Sequence, residues 1–341
     1  MDAPQPRPPL IGLRVLLALI VVVIYGLAIY ALAWVPTFAD GADENIAMVL
    51  ISGACLLSAG IGSLMTVLVD PRGQRSIGQL LGYAMLALLV IAILTVVLFT
   101  EGIVCLIMAV PILVPGLAIG IVIASVTLHW WQNRYGAFIV VALPLMVLPL
   151  EVRMDWPDYQ GHVSTEVIIA AAPDVVWANT VEIPAIDPAT LPFTPSHNLM
   201  FFPRPIDARL DRHGPGATRF LTWSKGIHFR EHITEWDQNR RLGWTFGFDP
   251  DSIPAEIDRH LRPDAEASKL LRGEYVLEPL PDGRTRLVLT TYYEVSLPWN
   301  GYGRFWANRL LGDFHTAVLD VVKERSEGAS QVAAAPISPP A

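Results

Sequence analysis

Charged residues are scarce in this sequence of 341 residues, and the scarcity is uneven. Only 16% of the residues are charged, whereas about a quarter is usual for a soluble globular domain. Residues 1–150 hold 5 of the 24 Lys and Arg and 6 of the 32 Asp and Glu, which leaves 19 and 26 for residues 151–341. The acidic excess of that second half argues against nucleic acid as a partner.

Cysteine and the common catalytic signatures are also nearly absent. Cys55 and Cys105 both lie in apolar runs, so residues 151–341 can form no disulfide. The chain has no G-x-S-x-G elbow and no glycine-rich phosphate loop. His228 and His232 in HFREH superficially resemble a zinc motif, but four residues span about 13 Å along a β-strand. We therefore expect neither a metal ion nor a cofactor.

Long apolar runs fill the first half instead. They cover residues 10–35, 46–69, 77–99, 103–128 and 136–150, and about 20 apolar residues in a helix cross a bilayer core. The fifth run is the shortest and contains Pro144 and Pro149. Acidic residues lie between the runs rather than within them, so nothing indicates a transport pathway. We predict a transmembrane region of about five helices over residues 1–152.

The charges between the runs alternate in sign, which predicts an orientation. Arg7 precedes the first run and Arg14 lies near its start, acidic residues follow this run, and Arg72 and Arg75 follow the second. Lys and Arg mark the cytoplasmic side, so the N-terminus is expected inside. Five crossings would place the second half outside, in the periplasm of a bacterium, and four would leave it inside. We favour five crossings in a bacterial inner membrane.

One small-residue pair lies within the fourth run. Gly116 and Gly120 form a G-x-x-x-G spacing, which packs helices closely in membranes. Small residues at this spacing are common in apolar runs, so we interpret the pair as coincidental.

The second half shows the alternation of β-strands rather than the period of helices. After a linker over residues 153–162, strand patterns cover 163–170, 217–224, 227–236, 242–248, 273–280 and 285–297. Lys225-Gly226 and Asp282-Gly283 are tight-turn signals. Pro173 starts a short helix, and an amphipathic helix runs from about residue 301 to 327. We expect residues 329–341 to be disordered.

This order predicts an α+β domain in which a curved antiparallel sheet wraps around one long C-terminal helix. It resembles the START-like helix-grip superfamily, also described as SRPBCC or polyketide cyclase/dehydrase-like. The resemblance rests on VSTEVIIAAAPDVVWANTVE, on GATRFLTWSKGIHFREHITEWDQNRRLGWTF and on the segment from GEYVLEPLPDGRTRLVL to VKERSE. It covers roughly residues 160–328, of which we assign 163–328 to the domain, and none of the membrane half. The connection over residues 249–271 is longer than a simple hairpin needs, which suggests a lid or a helical insertion.

The resemblance implies a pocket for a hydrophobic ligand between sheet and helix, but no family-wide catalytic residue. Strand alternation and helix periodicity select the walls of this pocket, although a fully packed core would show the same pattern. Because successive strand residues face opposite sides, only one of Tyr292 and Tyr293 can face inward. The alternation of apolar residues along this strand selects Tyr293. The expected walls are Phe229, Trp244, Phe246, Tyr275, Leu289, Tyr293, Trp306, Leu310 and Phe314.

Glu231 shares the strand face of Phe229 and Ile233, so it is a further candidate ligand-binding residue. A buried carboxylate with a raised pKa could act as an acid, as a base or as an anchor for a polar group of the ligand. The alternatives are that Glu231 pairs with an arginine such as Arg219, or that it faces solvent.

These patterns favour a membrane-anchored protein that binds or handles a hydrophobic small molecule or lipid over an enzyme. One alternative is an enzyme of polyketide cyclase type acting on a hydrophobic substrate. Another is a sensor in which the ligand acts on the membrane helices. The partners expected are the ligand and the membrane.

Overall fold

The computed structural model describes residues 11–39, 51–130, 135–151, 154–254, 257, 263–265 and 267–334. The chain divides into two units, Met1–Trp156 and Pro157–Ala341.

The first unit consists of the apolar runs folded as helices. They are α1 (Ile11–Ala39), α2 (Ile51–Val69), α3 (Ile77–Phe99), α4 (Ile103–Trp130) and α5 (Tyr135–Glu151). Four of these helices are long and apolar enough to cross a membrane. Helix α5 has 17 residues, about 25 Å at 1.5 Å per residue, and is shorter. The predicted residues 46–50 and the acidic segment before them lie outside the described residues.

Helices α2 and α4 approach each other at the G-x-x-x-G pair. A Cβ added at Gly120 would lie 1.9 Å from the carbonyl oxygen of Ala59, and one at Gly116 would lie 2.0 Å from Ser58 Oγ. From the other side, a Cβ at Gly62 would lie 2.3 Å from the carbonyl oxygen of Leu117. Our interpretation of the pair as coincidental is therefore wrong, because only hydrogen side chains allow this backbone approach.

Helix α5 packs into the same bundle despite its two prolines. The hydroxyl of Ser63 in α2 donates to the carbonyl oxygen of Ala137 at 3.0 Å, and the hydroxyl of Tyr25 in α1 donates to that of Val141 at 2.8 Å. Ala137 itself is fully buried. These contacts join α5 to two of the longer helices.

We predict that Gly120→Ala destabilises the helical bundle. The added methyl group overlaps the α2 backbone, and overpacking of this kind costs about 1–3 kcal/mol. The measurement is the temperature at which the detergent-solubilised full-length protein loses its monodisperse elution peak. Gly82→Ala is the matched control, since a Cβ at Gly82 of α3 meets nothing within 4 Å. Equal melting of the two variants would contradict the assigned α2–α4 contact.

The second unit is an antiparallel sheet with a long C-terminal helix. Its strands lie in the order β1-β8-β7-β5-β4-β3-β2, and β6 pairs with β7. The elements are β1 (Tyr159–Ile169), α6 (Pro173–Val181), α7 (Pro195–Asn198), β2 (Pro205–Leu210), β3 (Thr218–Trp223), β4 (His228–Asp237), β5 (Arg241–Gly247), β6 (Asp264–Ala265), β7 (Ser268–Pro279), β8 (Thr285–Val295) and α8 (Asn300–Ala334). The predicted fold, an apolar helical region followed by a helix-grip domain, is confirmed.

Several boundaries differ from those we expected. Strand β1 begins at Tyr159, within the expected linker, because Tyr159 pairs with Val295 at the far end of β8. Strand β7 begins at Ser268, within the expected lid or insertion, part of which lies outside the described residues. Helix α8 continues to Ala334 into the expected disordered tail, where alanine and glutamine favour a helix.

Strand β2 is the longest of the elements that the sequence patterns missed, the others being α7 and β6. It begins at Pro205 and forms one edge of the sheet, next to β3. Proline fits the first position of an edge strand, because its missing N–H breaks no ladder hydrogen bond there. A proline-rich stretch over residues 184–205 leads into the strand and therefore concealed it.

The inner face of the sheet packs on α6 and α8. Two glycines make room for aromatic rings on this face: Gly273 is paired with Trp244, and Gly161 with Tyr293. A Cβ at either glycine would lie within 2.7 Å of its partner's ring. The core of this unit includes Ile169, Val176, Trp177, Leu242, Trp244, Tyr275, Leu277, Leu287, Leu289, Ala317 and Val322.

Candidate functional site

Aromatic side chains continue the inner face of the sheet beyond the packed core. Phe314 of α8 lies 4.8 Å from Phe202 and 4.9 Å from Trp223 between ring centroids. Phe229 lies 6.0 Å from Trp223 and 5.4 Å from Phe248. Unlike the core residues, these rings are only half-buried. We call this set the aromatic cluster; its members are Phe202, Trp223, Phe229, Phe246, Phe248 and Phe314.

The structure divides the expected pocket walls between the core and the aromatic cluster. Phe229, Phe246 and Phe314 belong to the cluster, whereas Trp244, Tyr275, Leu289 and Leu310 are buried. Tyr293 faces inward, as its strand position predicted, and donates from its hydroxyl to Asn308 Oδ1 at 2.8 Å. Trp306 is half-buried and contacts the rings of Tyr302 and Phe305.

Three members of the aromatic cluster were missed by the sequence patterns. Phe248 continues the alternation of Trp244 and Phe246 by one step, so the pattern could have included it. Trp223 shares the inner face of Arg219 on β3. Phe202 lies in the proline-rich stretch, where no periodicity indicates a direction.

Glu231 is buried and paired with Arg219, as the first of our alternatives for it predicted. The Arg219 Nε donates to Glu231 Oε2 at 2.7 Å, and Arg219 Nη2 contacts the same oxygen. Burial raises the pKa of Glu231, and the Arg219 guanidinium opposes that rise. The guanidinium also lies 4.8 Å from the ring of Trp244. Its Nη1 donates to the carbonyl of Thr180 at 2.8 Å and so holds the end of α6.

A buried histidine joins α8 to the sheet. His315 Nδ1 lies 3.1 Å from Thr165 Oγ1 on β1, and Nε2 lies 2.8 Å from Thr291 Oγ1 on β8. Burial lowers the pKa of His315 to about 4, so the ring is neutral at pH 7. Both ring nitrogens have partners, so we assign His315 the structural role of attaching α8 to the sheet.

A buried carboxylate attaches the short helix α7 to α8. Asp313 Oδ2 accepts hydrogen bonds from the backbone N–H and the hydroxyl of Ser196, at 2.8 and 2.6 Å. The next residue, His197, is buried, and its ring centroid lies 5.4 Å from that of Phe314. This attachment brings α7 against the aromatic cluster.

The geometry gives no metal site in the part of the chain that the structure describes, where no three His, Cys, Asp or Glu side chains group together. His228 and His232 both lie on strand β4, as expected, and both are exposed.

No protein-family model matches this sequence, and a search of curated proteins found no match. Solved structures are similar over about half of the chain. The Zhui aromatase/cyclase from Streptomyces sp. R1128 is 16% identical, with a TM-score of 0.32, over 52% of this chain and 97% of its own. Truncated norcoclaurine synthase from Thalictrum flavum is 10% identical, with a TM-score of 0.32, over 49% and 94%. A protein from Thermus thermophilus is 19% identical, with a TM-score of 0.33, over 50% and 99%. At these values the similarity concerns the fold and assigns no ligand or activity.

We predict that Glu231→Gln destabilises the second unit by about 3–5 kcal/mol, because it leaves the Arg219 guanidinium buried without its counter-charge. The measurement is urea unfolding of the full-length protein followed by tryptophan fluorescence.

Glu166→Gln is the matched control, since Glu166 pairs with Arg286 at the surface, with side-chain exposures of 58% and 37%. Exposed pairs contribute only about 0–1 kcal/mol. Similar losses of unfolding free energy in the two variants would show that the buried pair stabilises the protein no more than the exposed pair does.

Proposed function

We propose that this protein is membrane-anchored and binds a hydrophobic molecule, such as a lipid, on the aromatic cluster between sheet and helix α8. The observation that carries the proposal is that six aromatic rings face the interior side of the sheet and yet stay half-buried. Exposed apolar area costs about 25 cal/mol per Å², so an apolar ligand that covers these rings gains that free energy.

The buried part of the interior supports a ligand at the cluster rather than deep in the core. Leu289 is 5% exposed and Trp244 and Tyr275 are each 3% exposed, and all three belong to one packed cluster. A ligand there would have to displace close-packed side chains. The rings of the aromatic cluster can instead be reached from solvent, which supports it as the binding surface.

Three buried ionisable groups of the interior favour binding over catalysis. Glu231 is occupied by Arg219, Asp313 by Ser196, and both nitrogens of His315 by threonine hydroxyls. A general acid or base must reach the proton that it transfers, and these groups already have partners. The alternative of a polyketide cyclase type of enzyme gains no support from them.

The first unit supports anchoring in a membrane. Four of its helices have the length and hydropathy of membrane spans, and their outward side chains are apolar, which suits contact with lipid. Examples of residues that are more than half exposed are Leu17, Ile24, Leu89, Ile93 and Val97. The packing of α5 with α1 and α2 supports a fifth crossing. We infer a bacterial inner membrane with the second unit on the periplasmic side.

We predict that Phe229→Ser weakens the binding of 1-ethylpyrene at least tenfold. The change removes an aromatic ring from the centre of the cluster and so removes apolar contact with the probe. The measurement is energy transfer from tryptophan to the probe, with the full-length protein in lipid nanodiscs.

Phe220→Ser is the matched control, because Phe220 is the same residue on the same hairpin but is 50% exposed on the opposite face of β3. Equal affinities of the two variants, or no binding by the unmodified protein above that of empty nanodiscs, would contradict the proposed function.

We predict that alkaline phosphatase fused after Glu327 is active in a bacterial host, whereas a green fluorescent protein fused there is dark. Five crossings with the N-terminus inside require this result. A fusion after Gln74, between α2 and α3, should show the reverse pattern because Arg72 and Arg75 mark the inside. A fluorescent fusion after Glu327 would mean four crossings.

A further inference from the structure

His197 carries a buried nitrogen that no described atom satisfies. The residue is 5% exposed, and its Nδ1 lies 2.6 Å from Thr194 Oγ1. Its Nε2 is buried without a hydrogen-bond partner among the described residues. An unsatisfied buried polar group costs about 1–3 kcal/mol, so Nε2 requires a partner that the described part of the chain does not supply.

The contacts of Thr194 identify which hydrogen-bonding role Nε2 has. Thr194 Oγ1 accepts the backbone N–H of His197 at 3.4 Å as the N-cap of α7. The arrangement that satisfies both side chains has the Thr194 hydroxyl donating to Nδ1, which leaves the ring hydrogen on Nε2. In that tautomer Nε2–H is a donor, and it requires an acceptor oxygen.

The ring is neutral at physiological pH, which fits such a donor. Burial lowers the pKa of His197 to about 4, the Arg204 guanidinium adds to that effect, and Asp313 opposes it. A neutral donor suits a carbonyl, ester or hydroxyl oxygen and does not require a charged ligand.

The position of His197 places this donor beside the proposed apolar site. Its ring centroid lies 5.4 Å from that of Phe314, which in turn contacts Phe202 and Trp223. The adjacent Ser196 is held to Asp313 by two hydrogen bonds. The imidazole is therefore fixed at the edge of the aromatic cluster rather than on a loose loop.

We propose that His197 Nε2 is the polar anchor of the ligand site, donating a hydrogen bond to an acceptor oxygen of a molecule whose apolar body covers the aromatic cluster. This inference rests on the proposed function and adds the chemical class of the ligand: an apolar compound with at least one uncharged oxygen, such as a ketone or an ester.

Two probes of nearly equal shape test the anchor in the full-length protein in nanodiscs. 1-Acetylpyrene has a carbonyl oxygen, and 1-ethylpyrene has none. The unmodified protein should bind the ketone about 3–10 times more tightly than 1-ethylpyrene, because one hydrogen bond contributes about that much affinity. His197→Phe keeps the ring but removes the donor, and the two probes should then bind equally. The partition of each probe into lipid is the same for all variants. It therefore cancels when the ratio of the affinities for the ketone and for 1-ethylpyrene is compared between variants.

His213→Phe is the matched control, since the His213 side chain is 71% exposed, and it should keep the preference for the ketone. Thr194→Val leaves the imidazole in place but removes the partner of Nδ1, and it should reduce the preference even if His197→Phe fails to fold. Failure of the unmodified protein to bind either probe contradicts the proposed function. Binding of both probes without a preference, or a preference that survives in both His197→Phe and Thr194→Val, overturns the anchor alone.

Discussion

The buried pair of Arg219 and Glu231 is the interaction on which the second unit depends. It joins β3 to β4, and the same guanidinium holds the carbonyls at the end of α6 and lies over Trp244. A charge with less than a tenth of its surface exposed has to be satisfied on all sides. The pair therefore fixes the register of these two strands and, with it, the face on which Trp223 and Phe229 lie.

The remaining interior shows how one sheet face serves two purposes. Near β7 and β8 the inward side chains are close-packed against α8, and glycines opposite Trp244 and Tyr293 allow the large rings to fit. Toward α7 the inward side chains are aromatic and stay half-buried. His315 and Asp313 attach α8 on either side of Phe314, through the sheet and through α7. The helix is thereby held in place without filling the aromatic end.

The sequence predicted the order of the elements well because strand alternation and helix periodicity report directly on which side of an element is buried. The same alternation identified Tyr293 as inward. It could not separate packed residues such as Leu289 from half-buried ones such as Phe229, because both occupy the same strand face. It also gave no signal for Phe202 or His197, whose directions depend on tertiary contacts of a proline-rich segment. In the membrane half, composition indicated the helices but not that Gly120 lies at a contact.

Photo-crosslinking with benzophenone tests the central claim most directly, because it reports which residues an apolar molecule touches. The full-length protein in nanodiscs would be irradiated with the probe, and the modified residues would be mapped by mass spectrometry. The account predicts adducts on the segments that carry the aromatic cluster, around Phe202, Trp223, Phe229, Phe246 and Phe314, and their loss in Phe229→Ser. Adducts confined to residues 11–151 would contradict it.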